Sequence, residues 1–316
     1  EARAYGIDLH WLPHAHGALE VAQRVKVRHP DSPVILGGYS ATYFHRELIA
    51  NPVVDYVLRG DSTEEPLAQL MECLLEGREP RHVANLTWKD RLGEVHVNPL
   101  TYVPDTLDSL TLDTRPVVRS VVRDRDLHNY IPFSHWLEYP IMASLTVKGC
   151  TQNCTICGGS AFAGRHVFGR SRPAHRSPEM LAEDVRRMGA LSRAPVFLLG
   201  DLRQAGMDYA RRFFRAVQGY DGPVIVEFFY PVDRGYAEEL AGALPNFIVE
   251  FSPESHDLAV RRASGKLYAT EGIEQTIGNC LAVGAKRFDL FFMVGLSQQT
   301  AESALATVDY CRGLLA

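Results

Sequence analysis

The 316-residue chain is predicted to be an α/β protein built mainly on parallel sheets. Two observations carry that prediction. Short apolar runs alternate with helical segments along most of the length. The runs are continuous rather than alternating, as in parallel strands buried on both faces. The length allows two domains, and an apolar fraction of 46% is ordinary for a well-packed chain. A net charge of −5, mixed in sign, gives no support to a duplex-binding surface. No apolar run approaches the roughly 18 residues needed to span a bilayer. Neither nucleic acid nor a membrane is therefore expected as a partner.

Tyr5 to Trp11 reads as a strand entering a loop that ends at Gly17. A helix is predicted over Ala18 to Arg28, where Leu19, Ala22, Val25 and Val27 share a face, and Pro30-Asp31-Ser32-Pro33 breaks it. Val34-Ile35-Leu36 is a buried strand followed by Gly37-Gly38; a helix over Thr42 to Ala50 and a strand over Val53 to Leu58 come next. Ser62 and Glu65 have capping-box spacing for a helix to about Leu75, with Pro66 in its first turn. Residues 1–80 thus read as the second half of a doubly wound domain, and the chain is expected to be cut at both ends. Such sheets bind ligands beyond the carboxyl ends of their strands. Those ends carry 11–17, Gly37-Gly38-Tyr39-Ser40 and Arg59-Gly60-Asp61, with glycines that let backbone approach a bulky ligand. His10, His14 and His16 read as polar loop or core histidines more readily than as metal ligands.

Residues 81–138 read as a connection. It contains a hairpin, Ala84 to Trp88 with Glu94 to Val97, and an aromatic, histidine-bearing stretch from Asp124 to Trp136. From 139 to 316 the strand-helix rhythm returns, with strands over Ile141 to Val147, Val196 to Leu199, Val224 to Phe229, Phe247 to Phe251 and Phe288 to Val294. Ser177-Pro178-Glu179 starts a helix with a capping serine, an early proline and an early carboxylate. Active groups of parallel barrels sit at the carboxyl ends of the strands. In this region those ends carry Gly149 to Gly159, Gly200-Asp201, Glu227, Glu250 to Ser255 and Gly295.

The first of these segments holds Cys150, Cys154 and Cys157 in a C-x3-C-x2-C spacing directly after an apolar run. Three thiolates can hold three irons of a cubane cluster and leave the fourth open. Structural zinc usually takes four ligands from separated pairs, and a disulfide would leave one of the three unpaired. Cys73, Cys280 and Cys311 lie apart on helical segments and read as small buried hydrophobes. The cysteine usage points to a reducing, cytoplasmic setting.

This spacing, after a strand and before a helix, resembles the cluster loop of radical S-adenosylmethionine (radical SAM) enzymes, and the resemblance runs from about Tyr139 onward. The family usually has an aromatic residue before the third cysteine; Ile156 stands there. The resemblance implies a partial (β/α)6 barrel lacking its last unit. It also implies a [4Fe-4S] cluster on the three cysteines and reductive cleavage of S-adenosylmethionine (SAM) into methionine and a 5'-deoxyadenosyl radical. By the same resemblance SAM is contacted by Ile156, by Gly200-Asp201, which keeps one glycine of a richer segment, by Glu227, by Glu254 and Ser255, and by Lys266 at its carboxylate. On the fifth strand Phe291 fills a slot that is often acidic, and Asp289 lies two residues earlier. The N-terminal region resembles the Rossmann-like cobalamin-binding domain that precedes many such enzymes. That likeness implies cobalamin contacts from His14, Gly17, Gly37, Gly38, Tyr39, Ser40, Arg59 and Gly60. Asp8-Leu9-His10 begins like that family's Asp-x-His-x-x-Gly motif, but Pro13 stands at the glycine position. The implied reaction is methyl transfer to an unactivated carbon of a small-molecule or peptide substrate, with an external electron donor such as flavodoxin or ferredoxin. A degenerate N-terminal domain without cobalamin and a non-catalytic zinc module are the alternatives.

Overall fold

The computed structural model describes residues 2–110, 113, 115–125 and 140–316. The stretch bearing His128, Tyr130, Phe133, His135 and Trp136 lies outside them. Contacts divide the chain into two compact units, one of Glu1–Asp105, Lys148–Asn153 and Cys157–Pro173, the other of Thr106–Val147, Cys154–Ile156 and Ala174–Ala316. This division differs from three consecutive segments, because the cysteine loop contributes residues to both.

The first unit is built on a five-stranded sheet. Its elements are β1 (Tyr5–Asp8), α1 (Ala15–Arg28), β2 (Val34–Gly37), α2 (Tyr39–Tyr43), α3 (His45–Ala50), β3 (Tyr56–Leu58), α4 (Glu64–Glu76), β4 (Leu86–Lys89) and β5 (Val95–Val97). The strands lie in the order β1-β2-β3-β4-β5, parallel through β3 and antiparallel beyond it. The hairpin is therefore not a free-standing connection but the antiparallel edge of this sheet. Successive β2 residues explain the continuous apolar run. Val34 and Leu36 pack with Ala18, Ala22 and Ile49, while Ile35 packs with Leu70, Cys73 and Trp88. Since neighbouring strand residues point to opposite faces, both faces are covered by apolar side chains.

Other local expectations change as well. The helix expected over Thr42 to Ala50 starts earlier and is split at Phe44. The strand expected from Val53 begins at Tyr56, although Val53 and Val54 are buried. The capping box does not form, because α4 starts at Glu64 with Thr63 at its N-cap and no side-chain cap bond. Ser62 is buried, and its hydroxyl accepts instead from the Arg170 guanidinium at 3.4 Å.

The remaining elements are α5 (Arg115–Asp124), β6 (Met142–Ser144), β7 (Val147–Lys148), α6 (Ala161–Val167), β8 (Ala174–His175), α7 (Pro178–Leu191), β9 (Val196–Leu198), α8 (Met207–Val217), β10 (Val224–Phe228), α9 (Arg234–Ala243), β11 (Phe247–Glu254), α10 (Leu258–Ala263), α11 (Thr270–Ala282), β12 (Phe288–Phe292) and α12 (Ala301–Leu315). The second unit's sheet runs β6-β9-β10-β11-β12, every pair parallel and in chain order. Val224, Val226 and Phe228 of β10 join Val185, Phe213, Leu240 and Ile273 in one core. The opposite face receives Ile225 and Glu227, because side chains alternate along the strand.

Candidate functional site

Gly149 opens the cysteine loop at φ +82°, and a Cβ there would stand 2.6 Å from Cδ of Arg170. Within the first unit the loop closes on the start of α6. Ala161 N–H donates to the Gln152 carbonyl (2.8 Å), Phe162 N–H to the Asn153 side chain (3.0 Å), and Ser160 caps the helix. Arg170, invisible to sequence reasoning, supports this arrangement. Its guanidinium donates to both carboxylate oxygens of Asp61, one at 2.8 Å, and to the Pro104 carbonyl at 2.9 Å. The side chains are 2% and 3% exposed, so removing either partner would strand a buried charge.

None of the six cysteines is in a disulfide. In the first unit, Gln152 N–H donates to Cys150 Sγ at 3.2 Å and Gly159 N–H to Cys157 Sγ at 3.4 Å. Such donors stabilise negative charge on sulfur and are among the groups that tune an iron–sulfur centre. In the second unit, Thr155 ties the middle of the loop to the end of α10. Its N–H donates to the Ser264 carbonyl and its hydroxyl to the Ala263 carbonyl, both at 3.2 Å. Ile156, 43% exposed, leaves its apolar side chain available to a ligand. Thiols with N–H groups directed at sulfur form a soft donor set of the kind that suits an iron–sulfur cluster.

At the strand ends of the second unit the expected polar residues fall into different states. Glu227 accepts from Gly200 N–H at 2.7 Å. Burial pushes its carboxyl up to about 7, opposed by that hydrogen bond and reinforced by Glu250 and Asp201. Glu227 pairs in register with Glu250, and Glu250 with Asp289, so three carboxylates follow one another across adjacent strands. Burial raises Glu250 as well, with Asp289 adding repulsion. Asp289 thus reaches this face although Phe291, 45% exposed, holds the slot expected to be acidic. Gly200 has φ +84° and would place a Cβ 2.6 Å from Val147, so a glycine is required there by packing.

Asp201 departs from its expected role. Its oxygens accept from the Arg203 guanidinium and N–H and from Phe229 N–H, and its side chain is fully buried. Arg203 in turn stacks 3.9 Å from the centre of the Tyr230 ring. The carboxylate is engaged within the protein. Ser255 is likewise fully buried, its hydroxyl accepting from Asp257 N–H at 3.1 Å. Lys266 is a buried lysine. It is 7% exposed, bonds Glu254 at 2.6 Å and also donates to the Ser252 carbonyl. Glu254 adopts φ +69°, a conformation uncommon outside glycine and frequent where a site stores strain.

The first unit treats its expected ligand residues differently. Gly17 lies inside α1 rather than in a loop, and exposed His14 stands at that helix's N-cap without a side-chain cap bond. Gly38 has φ +109°, and a Cβ would meet Asp8 Oδ1 at 2.7 Å and the Leu9 backbone at 2.8 Å. Its glycine serves the chain's own close packing rather than ligand approach. A Cβ on Gly37 would meet nothing within 4 Å. Ser40 donates to the His10 carbonyl (2.9 Å), and Gly60 N–H donates to the Thr42 hydroxyl (3.0 Å). Arg59 is buried and donates to the Asn98 carbonyl. Tyr39 stacks on His10 and packs against Phe168, each with ring centres 4.6 Å apart.

Comparison with known proteins connects these features. The chain is 24% identical over 221 residues to the cytidylyl-2-hydroxyethylphosphonate methyltransferase of Streptomyces wedmorensis, covering 64% of this chain and 39% of that protein. It therefore spans about two fifths of the relative's length. The fold resembles that of the radical SAM methyltransferase TsrM from Kitasatospora setae, solved with cobalamin and a [4Fe-4S] cluster bound. The TM-score is 0.76 at 16% identity, over 100% of this chain and 63% of TsrM. It also resembles the cobalamin-dependent SAM radical enzyme OxsB, solved with aqua-cobalamin and SAM, at a TM-score of 0.68 and 12% identity over 97% and 43% of the two chains. Among the described residues no helix is long and apolar enough to cross a membrane. The model of the radical SAM superfamily matches residues 144–311, more than half of the chain and the whole cysteine loop, so the chain belongs to that superfamily.

Proposed function

We propose that this chain carries the cofactor machinery of a cobalamin-dependent methyltransferase acting on an unactivated carbon. In this reading the first unit is the C-terminal half of a cobalamin-binding domain and the second a partial (β/α)6 barrel. The observation that carries it is the cysteine loop, with N–H donors on Cys150 and Cys157 and its middle fixed to Ala263 and Ser264. A [4Fe-4S] cluster held there would supply the electron that cleaves SAM, and cobalamin would carry the methyl group.

The protein's part is to bind, orient and hold protons. Glu227, with its carboxyl near neutrality, can accept a hydrogen bond from the SAM amino group, whose positive charge favours the ionised form. Lys266, fixed by Glu254 and the Ser252 carbonyl, presents a positive charge for the SAM carboxylate. Ile156 offers apolar cover to the adenine. Gly37, at the carboxyl end of β2 with open space at its missing Cβ, can lie against a corrin. A small-molecule or peptide substrate, a flavodoxin- or ferredoxin-type electron donor and a cytoplasmic setting belong to the same proposal.

A second reading keeps the cluster and drops cobalamin. It is favoured by Gly38, Ser40, Arg59 and Gly60, whose groups are engaged inside the first unit. Anaerobic reconstitution with iron, sulfide and cobalamin, followed by metal analysis, separates the two. About four irons with bound cobalt supports the first reading, iron without cobalt the second, and zinc in place of iron removes both. Cys154→Ala should abolish reductive SAM cleavage, and retained cleavage would exclude the cluster role of this loop.

A further inference from the structure

Arg261 of α10 is fully buried, yet it is held differently from other buried arginines of the chain. Arg170 meets Asp61 and Arg176 meets Asp184. Among the described residues no carboxylate takes that place for Arg261, and its guanidinium goes to the chain around it. It donates to the carbonyls of Ser255 (2.8 Å), His256 (3.1 Å) and Tyr268 (3.1 Å) and to the Thr270 hydroxyl (3.0 Å). That hydroxyl donates onward to the His256 carbonyl at 3.1 Å, and the guanidinium carbon lies 5.4 Å from the centre of the Tyr268 ring. A guanidinium sealed from water without a counter-charge is costly, and bonds to every part of its planar fork offset that cost.

The targets of the fork bracket the ion pair of Glu254 and Lys266. Ser255 and His256 directly follow Glu254, whose φ of +69° persists only where the neighbouring backbone is fixed. Tyr268 and Thr270 lie just beyond Lys266, and Lys266 N–H donates to the Arg261 carbonyl at 3.0 Å. One residue therefore grips the chain beside both members of the pair, while the Lys266 ammonium is aimed by Glu254 at 2.6 Å and by the Ser252 carbonyl.

We propose that Arg261 is a positioning residue for SAM: by holding both segments it aims the Lys266 ammonium at the SAM carboxylate and so sets the affinity for SAM. The inference rests on the reading that Lys266 meets that carboxylate. Buried as it is, Arg261 acts through Lys266 rather than on SAM. A lysine at this position keeps the charge but not the fork that reaches several carbonyls at once. An arginine that only stabilised the fold would leave the SAM affinity of the folded protein as it was.

The test is equilibrium dialysis of labelled SAM against the anaerobically reconstituted chain, scored per folded, iron-loaded molecule. The variants are Arg261→Gln, Arg261→Lys, Thr270→Val, and Lys266→Met/Glu254→Gln, which removes the pair without stranding a charge, alone and with each of the other three. Arg261→Gln and Arg261→Lys should each weaken SAM about tenfold and Thr270→Val about twofold. In the Lys266→Met/Glu254→Gln background none of them should weaken it further, because the group being aimed is gone. Unchanged affinity in the folded Arg261 variants overturns the inference, as do losses that add in full to that background. If neither Arg261 variant folds, Thr270→Val decides by the same two comparisons, since it removes one target of the fork and leaves the arginine in place. Wild-type affinity in Lys266→Met/Glu254→Gln removes the Lys266 reading itself, whereas a loss there beside unaffected Arg261 variants removes only this inference.

Discussion

The strand ends of the two units look alike in sequence, glycines and polar residues after apolar runs, yet they hold their polar groups for different reasons. In the first unit Gly38 makes room for Asp8 and Leu9, Gly60 N–H donates to Thr42 of α2, and Ser40 donates to the His10 carbonyl. In the second, Glu227, Glu250 and Asp289 stand side by side on adjacent strands, and Lys266 is paired with a Glu254 of unusual backbone conformation. Self-packing explains the first set. In the second set Asp289 is paired with Arg287 at 2.8 Å, and the raised Glu227 carboxyl records burial beside the other acids.

The sharpest way to break that comparison is to remove one charge at the second unit's rim. Lys266→Met leaves Glu254, 13% exposed at its side chain, without its cation. It should cost about 3–5 kcal/mol in chemical denaturation, and Glu254→Gln on top of it should recover most of the loss. A cost below about 1 kcal/mol would mean the pair behaves like a surface ion pair.

Next in size is Gly38→Ala. The φ of +109° and contacts of 2.7–2.8 Å, two of them to backbone, leave a methyl group no room. About 2–4 kcal/mol of destabilisation is expected from strain and overpacking. The unfolding midpoint in urea would then fall with the slope unchanged.

Glu227→Gln tests the carboxylate row through pH. The folded carboxyl titrates at about 7 against an ordinary 4.5, so between those values the native state binds more protons than the unfolded chain. Stability contributed by the protonated form is present below the unfolded value and is lost as pH rises through about 7, up to about 3 kcal/mol. The glutamine variant keeps an acceptor for Gly200 N–H and should lose this slope. Equal slopes between pH 5 and 8 in both proteins would remove the near-neutral assignment.

The smallest stability effect belongs to Gly37→Ala, whose Cβ enters open space. Less than about 0.5 kcal/mol is expected. If cobalamin lies at this edge its affinity should nevertheless drop, so folding and corrinoid binding would separate at neighbouring glycines.

Much of this site was legible in the chain. The parallel strands of both units, the cysteine loop before a helix, and Glu227 at a strand end follow from runs of apolar residues and local spacing, whereas Lys266 was singled out only by the family resemblance. Other features were not. Ser62 and Glu65 have the spacing of a capping box, but Arg170, more than a hundred residues later, takes the serine hydroxyl. Nothing local distinguishes Arg170 from the exposed Arg172 beside it, although one is buried on Asp61 and the other is not. Asp201 reads as a ligand for SAM until Arg203 and Phe229 N–H are seen on its oxygens.

Sequence by itself determined the order of most strands and helices, though not their exact bounds, and which three thiols share a loop, since hydrophobic periodicity and ligand spacing act over a few residues. Tertiary structure alone decided which polar groups were already engaged inside the protein. A buried charge or hydroxyl takes whichever partner the fold brings within about 3 Å, and that partner is as easily a hundred residues away as three.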